Sequence, residues 1–340
     1  MRILLNSHFF APSVGGLETV SRLLADEFHR LGKEVVVVTQ TLGEYDAKFA
    51  YRVVRQPSRS ELLELVRWCD VFFHNNISLQ AAWPLLLVRR PWVVAHHNWI
   101  SRADGTLAWQ DKLKRFLIRK ATNISISQSI ADALPAPSQL IGDPYQDDLF
   151  TLHPEIIRDR ELVYLGRLVS DKGVDGLLLA LAQLKQEHLR PSLSIIGHGP
   201  EEANLRQQAR DLGIADQVHF LGQHQGDDLV RLLNGHKIMV VPSRWAEPFG
   251  VVALEGIACG CVLIGSEGGG LKEAIGPCGL TFPNGKIDAL AKQLAGLLIN
   301  PAKRAALRTP APDHLAKHRR VEVAQAYLRV FDSMTNGKRN

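Results

Sequence analysis

Two cations and two carboxylates in the second half of this sequence are placed where they could serve a ligand. Arg167 and Lys172 lie in one loop, GRLVSDKG, and two cations in a single strand-to-helix loop can clamp a diphosphate. Glu247 and Glu255 lie in the segment VPSRWAEPFGVVALEGIACG, residues 241–260. These four side chains are the first candidates for binding and chemistry.

The segments around the carboxylates predict half of a parallel α/β unit. Residues 238–241 form an apolar run typical of a buried strand, and Val251 and Leu254 recur at helical spacing. Glu247 then lies in the connecting loop and Glu255 lies two turns into the helix. Ligands of open α/β sheets bind in the crevice at the carboxyl ends of the strands. We therefore expect Glu247 to face that crevice and Glu255 to point along the helix toward it.

Glycine-rich turns follow several of the expected strands. Gly166 begins the GRLVSDKG loop, residues 197–200 read GHGP, and residues 266–270 read SEGGG. Such turns on one sheet edge, together with two cations and two carboxylates, are hard to explain as structure alone. They are not a dinucleotide fingerprint, because GxGxxG would need glycine in place of Glu202. In the first half, Gly15 and Gly16 precede a helix and could approach an anion, although a plain turn explains them equally well.

The length of 340 residues predicts two domains with a cleft, since single cores stop growing near about 250–300 residues. Strand-like runs alternate with helical stretches in both halves, which predicts two doubly wound parallel sheets. We expect a first domain over 1–150, a linker near 144–160, a second domain over 151–312, and a basic helix and tail over 313–340 whose return to the first domain is left open. The expected strands are 2–6, 34–39, one near 53, 70–73, 92–95, 123–127, 161–165, 193–196, 217–221, 238–241 and 262–265, and the last helices are 286–298 and 314–334.

Polar residues follow the strand predicted at 92–95. His96, His97 and Asn98 stand where such sheets hold ligands. A single histidine is more often a satisfied structural group, but its place at this edge favours His97 slightly as a site residue.

Positive charge is concentrated in two places. The net charge is +5, and the tail over 301–340, with nine Lys or Arg against three Asp or Glu, accounts for it. Residues 101–121 carry six cations and two acids. No nucleic-acid-binding motif accompanies them, so anionic lipid is the better candidate partner and no nucleic acid is expected.

Residues 109–120 have two interpretations. The favoured one is an amphipathic helix packed on the sheet through Trp109, Leu113, Phe116 and Leu117. The alternative is an interfacial helix on anionic headgroups.

The remaining composition is that of an ordinary soluble globular protein, and we expect it to stay in the cytoplasm for two reasons. No apolar run reaches the roughly 18 residues of a membrane span, and the N-terminal apolar stretch is too short for a signal peptide. The four cysteines, Cys69, Cys259, Cys261 and Cys278, include no CxxC pair. We interpret them as structural thiols.

The ordered set of motifs resembles the GT-B-fold glycosyltransferases, and among them the retaining enzymes of glycosyltransferase family 4, over nearly the whole chain. The pieces that carry the resemblance are the GG loop, HHN, ISISQS, GRLVSDKG, IIGHGP, VHFLG, EPFGVVALE with its two glutamates, and SEGGG. The resemblance implies a GT-B fold of two Rossmann-like domains facing a cleft, the first for the acceptor and the second for a nucleotide sugar.

The resemblance also implies roles for individual residues. Arg167 and Lys172 would hold the donor diphosphate, Glu255 would bind ribose hydroxyls, and Glu247 with the backbone of Phe249 and Gly250 would bind the donor sugar. His97 would orient the sugar near the anomeric centre. The remaining donor-binding positions would be Gly15, Gly16, Gly166, Gly197, Gly199 and Pro200.

The same family implies retention of anomeric configuration without a metal, a cofactor or an obligatory protein base. No Asp-x-Asp metal motif is present. One departure from the family pattern is the segment IGDPYQ at 141–146, where Asp143 replaces an asparagine and Pro144 a glycine. The departure leaves the hinge geometry and any acceptor contact of this loop open.

The resulting hypothesis is transfer of a hexose or N-acetylhexosamine to a growing glycan or lipid-linked acceptor at the inner face of the membrane. A GT-B sugar-nucleotide epimerase and a catalytically silent relative are alternatives. A phosphorylase of the cofactor type would need a much longer chain, and a solute-binding protein would lack the diphosphate clamp.

Overall fold

The computed structural model describes residues 1–13, 15–43, 49–102 and 105–336. It divides into two compact units, Met1–Pro144 together with Arg319–Asn340, and Tyr145–His318. Each unit contains its own sheet and core.

The first unit is built on a sheet of seven parallel strands in the order β3-β2-β1-β4-β5-β6-β7. Strands such as EVVVVT and VFFHN are buried along their length, as expected where helices cover both faces of a parallel sheet. The strands are β1 (Arg2–Ser7), β2 (Glu34–Thr39), β3 (Arg52–Arg55), β4 (Val71–Asn75), β5 (Trp92–His96), β6 (Thr122–Ser125) and β7 (Ser138–Leu140), and the helices between them are α1 (Gly16–Arg30), α2 (Arg59–Trp68), α3 (Leu79–Ala82), α4 (Trp109–Leu117) and α5 (Gln128–Ala133).

The second unit has six parallel strands in the order β10-β9-β8-β11-β12-β13. Its core includes Leu177 and Leu181 of one helix and Leu294 of another, all fully buried. The strands are β8 (Arg160–Leu165), β9 (Leu193–Ile196), β10 (Val218–Gly222), β11 (His236–Val241), β12 (Val262–Ser266) and β13 (Gly279–Phe282), and the helices are α6 (Val174–Gln186), α7 (Glu202–Asp211), α8 (Gly226–Asn234), α9 (Val251–Ala258), α10 (Leu271–Ile275), α11 (Ile287–Leu298), α12 (Pro301–Arg308) and α13 (Ala311–Ala316).

The last helix, α14 (Arg320–Asn336), belongs to the first unit. Its Phe331 ring lies 5.6 Å from Phe28 of α1 and 5.4 Å from Phe73 of β4, and all three are fully buried. The C-terminal helix is therefore part of the core of the first sheet.

The prediction of two doubly wound parallel sheets is confirmed, but the single helix expected over 314–334 is wrong. The chain forms α13 and α14 with a break at 317–319. His318 accepts a hydrogen bond from the Tyr145 backbone at 3.2 Å, and its ring lies 5.4 Å from Phe249. Since the first unit begins again at Arg319, the break lies where the chain passes from one unit to the other.

The favoured interpretation of residues 109–120 is also wrong. Trp109 is 69% exposed and Phe116 55% exposed, and no residue of α4 is buried. Within α4, only its last residue, Leu117, packs against the core, and it is partly buried. The next residue, Ile118, is fully buried in that core. The apolar stripe therefore faces outward.

Two smaller expectations concern the cysteines and the membrane. All four cysteines are free and buried, and burial raises the pKa of each thiol, to about 12 for Cys69 and Cys261, so the prediction of structural thiols without disulfides is confirmed. Within the described ranges, no helix combines the length and apolarity that crossing a membrane requires.

Candidate active site

Lys172 and Glu247 meet at the carboxyl edge of the second sheet. Lys172 lies in the turn after β8, and its Nζ is 2.5 Å from Oε1 of Glu247 in the loop after β11. The same carboxylate oxygen accepts a hydrogen bond from Oγ of Ser243 at 2.6 Å. Both charged side chains are mostly shielded from solvent, so this pair is screened less than a surface pair.

Arg167 lies on the same loop and is exposed. The backbone of this loop is tied to the end of β8, because the Tyr164 hydroxyl donates a hydrogen bond to the Arg167 carbonyl at 2.8 Å. A fixed backbone with a free guanidinium can receive an anion without first rearranging the loop.

Glycine lets the loops at this edge approach one another through their backbones. A Cβ at Gly197, whose φ is +141°, would overlap the Gly166 carbonyl, and one at Gly199 would overlap the Leu168 carbonyl. The Leu168 amide donates to the His198 carbonyl at 3.0 Å. These glycines, predicted as donor-binding positions, thus join the loop after β8 to the turn after β9. Pro200 follows them, exposed, before α7.

The loop of Glu247 is joined to the SEGGG turn in the same way. The Gly270 amide donates to the Glu247 carbonyl at 2.7 Å, and a Cβ at Gly269 would overlap that carbonyl. The backbone around the candidate carboxylate is therefore fixed on both sides.

Asn284 is a site residue that the sequence analysis missed. Its Oδ1 accepts from the Gly268 amide at 2.7 Å, and its Nδ2 donates to the carbonyls of Ser243 and Arg244, each at 3.2 Å. Asn284 follows β13, a strand that was not predicted, in the turn Pro-Asn-Gly. That turn was the available signal, but nothing in it indicates the distant partners.

Glu255 lies in the second turn of α9, as predicted. Burial raises the pKa of its carboxyl to about 7. The helix begins after Gly250, and the side chain of Phe249 is buried against the His318 ring. Phe249 therefore fixes the entry to α9 and leaves its backbone as the part that could meet a ligand.

In the first unit, His97 follows β5 and is buried. Its backbone amide donates to Oδ1 of Asn76 at 2.8 Å, and its Nδ1 lies 2.8 Å from Oδ1 of Asp143. Asp143, the departure from the family pattern, is therefore buried next to a candidate site residue.

Gly15 and Gly16 stand at the start of α1, with Gly16 as its first residue. The Glu18 carboxylate lies so close that a Cβ on Gly15 would overlap it. A phosphate drawn to this helix N-terminus would have to displace that carboxylate. The preceding residue, Val14, lies outside the described residues.

The described part of the chain contains no group of three or more His, Cys, Asp or Glu side chains arranged to hold a metal ion. Of the four predicted charged residues, the structure brings Lys172 and Glu247 into contact, while Arg167 shares the loop of Lys172 and Glu255 lies on the helix that follows Glu247. Residues of these types suit anions and hydroxyl groups.

The sequence is similar to glycosyltransferases along much of its length. A family model described as glycosyl transferases group 1 matches residues 153–314. A glycogen synthase of Mycobacterium tuberculosis is 37% identical over 144 residues, which cover 42% of this chain and 34% of that protein. A GDP-mannose-dependent alpha-(1-6)-phosphatidylinositol monomannoside mannosyltransferase of Mycolicibacterium smegmatis is 25% identical, covering 90% and 91% of the two chains. In most of the curated relatives that it matches, the matched part of this chain spans only 30–44% of the relative's length.

Solved structures share the fold at low identity. Anabaena HepE in complex with UDP gives a TM-score of 0.83 at 20% identity, covering 98% of this chain and 99% of that one. Sucrose-phosphate synthase from Thermosynechococcus elongatus gives 0.82 at 21% identity, covering 99% of each chain. The chain therefore has the GT-B fold, and its residues 153–314 match the family described as glycosyl transferases group 1.

Proposed function

We propose that the protein is a retaining glycosyltransferase that transfers a hexose or N-acetylhexosamine from a nucleoside-diphosphate sugar to a glycan or lipid-linked acceptor. The observation that carries this proposal is the Lys172–Glu247 pair, whose lysine shares its loop with Arg167, on a sheet edge held by backbone contacts within the family-matched residues. Such a preformed edge positions charges without reorganisation when a ligand arrives.

The bound donor would break the contact between Lys172 and Glu247 and give each of them a new partner. Its diphosphate would take Lys172 and Arg167 as counter-ions, and both cations would stabilise the negative charge that grows on the leaving group. Glu247, released from Lys172 but still held by Ser243, would accept a hydrogen bond from a sugar hydroxyl. Glu255 would accept hydrogen bonds from the ribose. That the HepE structure contains UDP supports a nucleotide as the donor's carrier.

The first unit would supply His97 to orient the sugar and the Gly15–Gly16 helix start to approach the donor phosphate. In the transfer, the bond from the anomeric carbon to the phosphate oxygen breaks and the bond to the acceptor oxygen forms on the same face. The acceptor proton passes to the departing phosphate oxygen. No protein base and no metal ion is required for this balance of atoms.

A thermal-shift panel tests the donor site. UDP, GDP, ADP, dTDP and CMP are each added with and without magnesium, because a ligand that binds only the folded state raises the melting temperature. We expect one diphosphate to raise it regardless of magnesium, and the increase to shrink in Glu255→Ala. No increase with any nucleotide would contradict the donor site, while turnover of the sugar nucleotide to its epimer without acceptor would favour the epimerase.

We further propose that the outward face of α4 rests on an anionic membrane surface, which would place the enzyme at the inner face of the cytoplasmic membrane. Trp109, Leu113 and Phe116 recur at helical spacing on an exposed face, and Lys112 and Lys120 lie along the same stripe. Exposed aromatic side chains among cations suit the headgroup region of anionic lipid.

Vesicle binding tests this surface directly. We expect co-sedimentation with phosphatidylglycerol vesicles but not with phosphatidylcholine vesicles, and weakening by about fivefold for each of Lys112→Ala and Lys120→Ala, since one cation near a charged membrane contributes about 1 kcal/mol. Lys292→Ala, an exposed lysine of α11, is the matched control. Equal binding by the control and the α4 variants, or none by the wild type, would contradict the proposal.

A further inference from the structure

Two adjacent buried histidines lie where β5 ends: His96 is its last residue, and His97 follows it. Their surroundings differ. His96 has a partner for its ring, because Nε2 lies 3.0 Å from Oδ1 of Asn123 within the core. Burial lowers the pKa of His96 to about 4, so it stays neutral. It is a satisfied structural histidine, and it provides an internal reference for its neighbour.

His97 faces a carboxylate instead. Its Nδ1 lies 2.8 Å from Oδ1 of Asp143, with side chains only 3% and 7% exposed. A carboxylate oxygen at this distance would repel a nitrogen lone pair and attract an N–H. Because the pair is shielded from water, this preference is stronger than it would be on the surface. The contact therefore favours a proton on Nδ1.

The other ring nitrogen of His97 is left unused. Both ring nitrogens are buried and neither makes a well-aligned hydrogen bond with a residue that the structure describes, but the Asp143 oxygen lies 2.8 Å from Nδ1. A buried polar atom without a partner is costly, and in a native structure it calls for an explanation such as a ligand group. Nδ1 thus has a carboxylate as its neighbour, and Nε2 is the ring nitrogen left for a ligand group.

Two described neighbours of the pair, Asn76 and Tyr327, are uncharged. Asn76 holds the His97 backbone amide, and Tyr327 of α14 is the other titratable group whose charge state responds to Asp143. Burial first, and the Asp143 charge second, raise the pKa of Tyr327 well above its usual value, so that it keeps its proton. Tyr327 therefore brings no second charge to the pair.

We propose that Asp143 is a positioning residue for His97: its carboxylate keeps the proton on Nδ1 and thereby presents Nε2 as the ring atom that meets a bound ligand. A family position that usually carries asparagine would here act through a carboxylate that attracts the Nδ1–H group. The inference rests on the proposed function only for the nature of that ligand, a hydroxyl group of the donor sugar or acceptor.

Nitrogen-15 NMR of the histidine-labelled protein tests the pairing without any turnover. The His97 signals are identified by their loss in His97→Gln. We expect Nδ1 of His97 to be protonated in the wild type, and the proton to move to Nε2 in Asp143→Ala, while the His96 signals stay unchanged. A wild-type His97 protonated only on Nε2, or a pattern unaltered in Asp143→Ala, would overturn the proposal. If Asp143→Ala fails to fold, the wild-type spectrum still shows which nitrogen of His97 carries the proton, and the isosteric Asp143→Asn takes the place of the alanine variant.

Kinetics supply the second readout. We expect Asp143→Ala to lower kcat about tenfold or more with a smaller change in the donor KM, since orientation matters most in the transition state. Asp132→Asn, an exposed carboxylate on α5 that bonds Gln128, is the control. A wild type that transfers no sugar would contradict the proposed function and leave the NMR result standing; lowered kcat with an unchanged His97 tautomer would overturn the positioning role alone.

Discussion

The carboxyl edges of the two sheets are built by different means. In the second unit, loops meet through backbone at Gly197, Gly199 and Gly269, and the functional side chains project from that frame. In the first unit, the edge is made of buried polar side chains. Asn75 donates to Oγ of Ser21 at 2.5 Å, and His97 packs against Asp143.

A backbone-built edge tolerates little sequence change, because any side chain at those glycines would collide with a carbonyl group. A side-chain-built edge can be rebuilt from other polar residues with the same shape. The residues matched by the family model, 153–314, all lie within Tyr145–His318, the unit with the backbone-built edge. The difference between the two edges is therefore one physical reason why the family model matches residues of the second unit and none of the first.

The largest effect should come from filling the closest backbone contact. Gly197→Ala would push a methyl group into the Gly166 carbonyl at a φ of +141°, and we expect it to cost about 3 kcal/mol or more, lowering the melting temperature by roughly 6–12 °C. Gly222→Ala is the control, because Gly222 also has a positive φ but open space around it, and it should cost about 1 kcal/mol. Equal losses in the two variants would mean that conformation, not backbone contact, fixes these glycines.

Next in size is the loss of the cations that project from this frame. Arg167→Ala and Lys172→Ala should each lower kcat about a hundredfold, because each removes charge stabilisation of the leaving group. Arg167→Ala should leave the melting temperature nearly unchanged, whereas Lys172→Ala should lower it, since it leaves the shielded Glu247 without its counter-ion. Steady-state kinetics with the donor identified by thermal shift would measure this. Lys185→Ala, whose Nζ bonds the Gly213 carbonyl on the surface, is the matched lysine control. Wild-type turnover by both Arg167→Ala and Lys172→Ala would contradict the proposal that these residues bind the donor diphosphate.

The contrast also explains what the sequence could predict. Buried parallel strands are continuous apolar runs, so most strands were placed within one or two residues. The strands β7 and β13 were missed because they are short and only partly buried, and α12 because it has no buried residue. Their patterns resemble those of loops.

For the candidate site, residue types were predictable and contacts were not. Gly-rich turns and charged loops showed where Lys172 and Glu247 lie, but the pairing of these two side chains depends on strands that are far apart in sequence. The same holds for Asn284 with the Gly268 amide and for Asp143 with His97. Tertiary packing sets these partners, and no local pattern encodes it.

A smaller effect is expected from the protonation of Glu255. Since burial raises its pKa to about 7, Glu255 is largely protonated at pH 6 and largely ionised at pH 8. Ribose hydroxyls would bind the ionised form, so nucleotide affinity should rise about tenfold from pH 6 to pH 8. Calorimetry in buffers of different ionisation enthalpy should detect proton release on binding.

Glu255→Gln is the control for this pH dependence. The variant should lose the rise in nucleotide affinity between pH 6 and pH 8 that is due to the Glu255 carboxyl. A profile identical to that of the wild type would contradict the role of Glu255. The sign for folding is opposite: a native pKa above the ordinary 4.5 means that the contribution of Glu255 to stability is full below about pH 4.5 and is lost as the pH rises through 7.

The smallest effect should be on the stability of α4, on the surface of the first unit. Trp109 and Phe116 are large apolar residues, and in a core their truncation would cost about 3–5 kcal/mol. Because both are more than half exposed, we expect Trp109→Ala and Phe116→Ala each to change the free energy of unfolding by no more than about 0.5 kcal/mol. Phe331→Ala, which removes a fully buried ring of α14, is the contrasting variant. Urea unfolding would compare the three. A large loss in the α4 variants would mean that this face is covered within the protein, and the membrane proposal would then lose its surface.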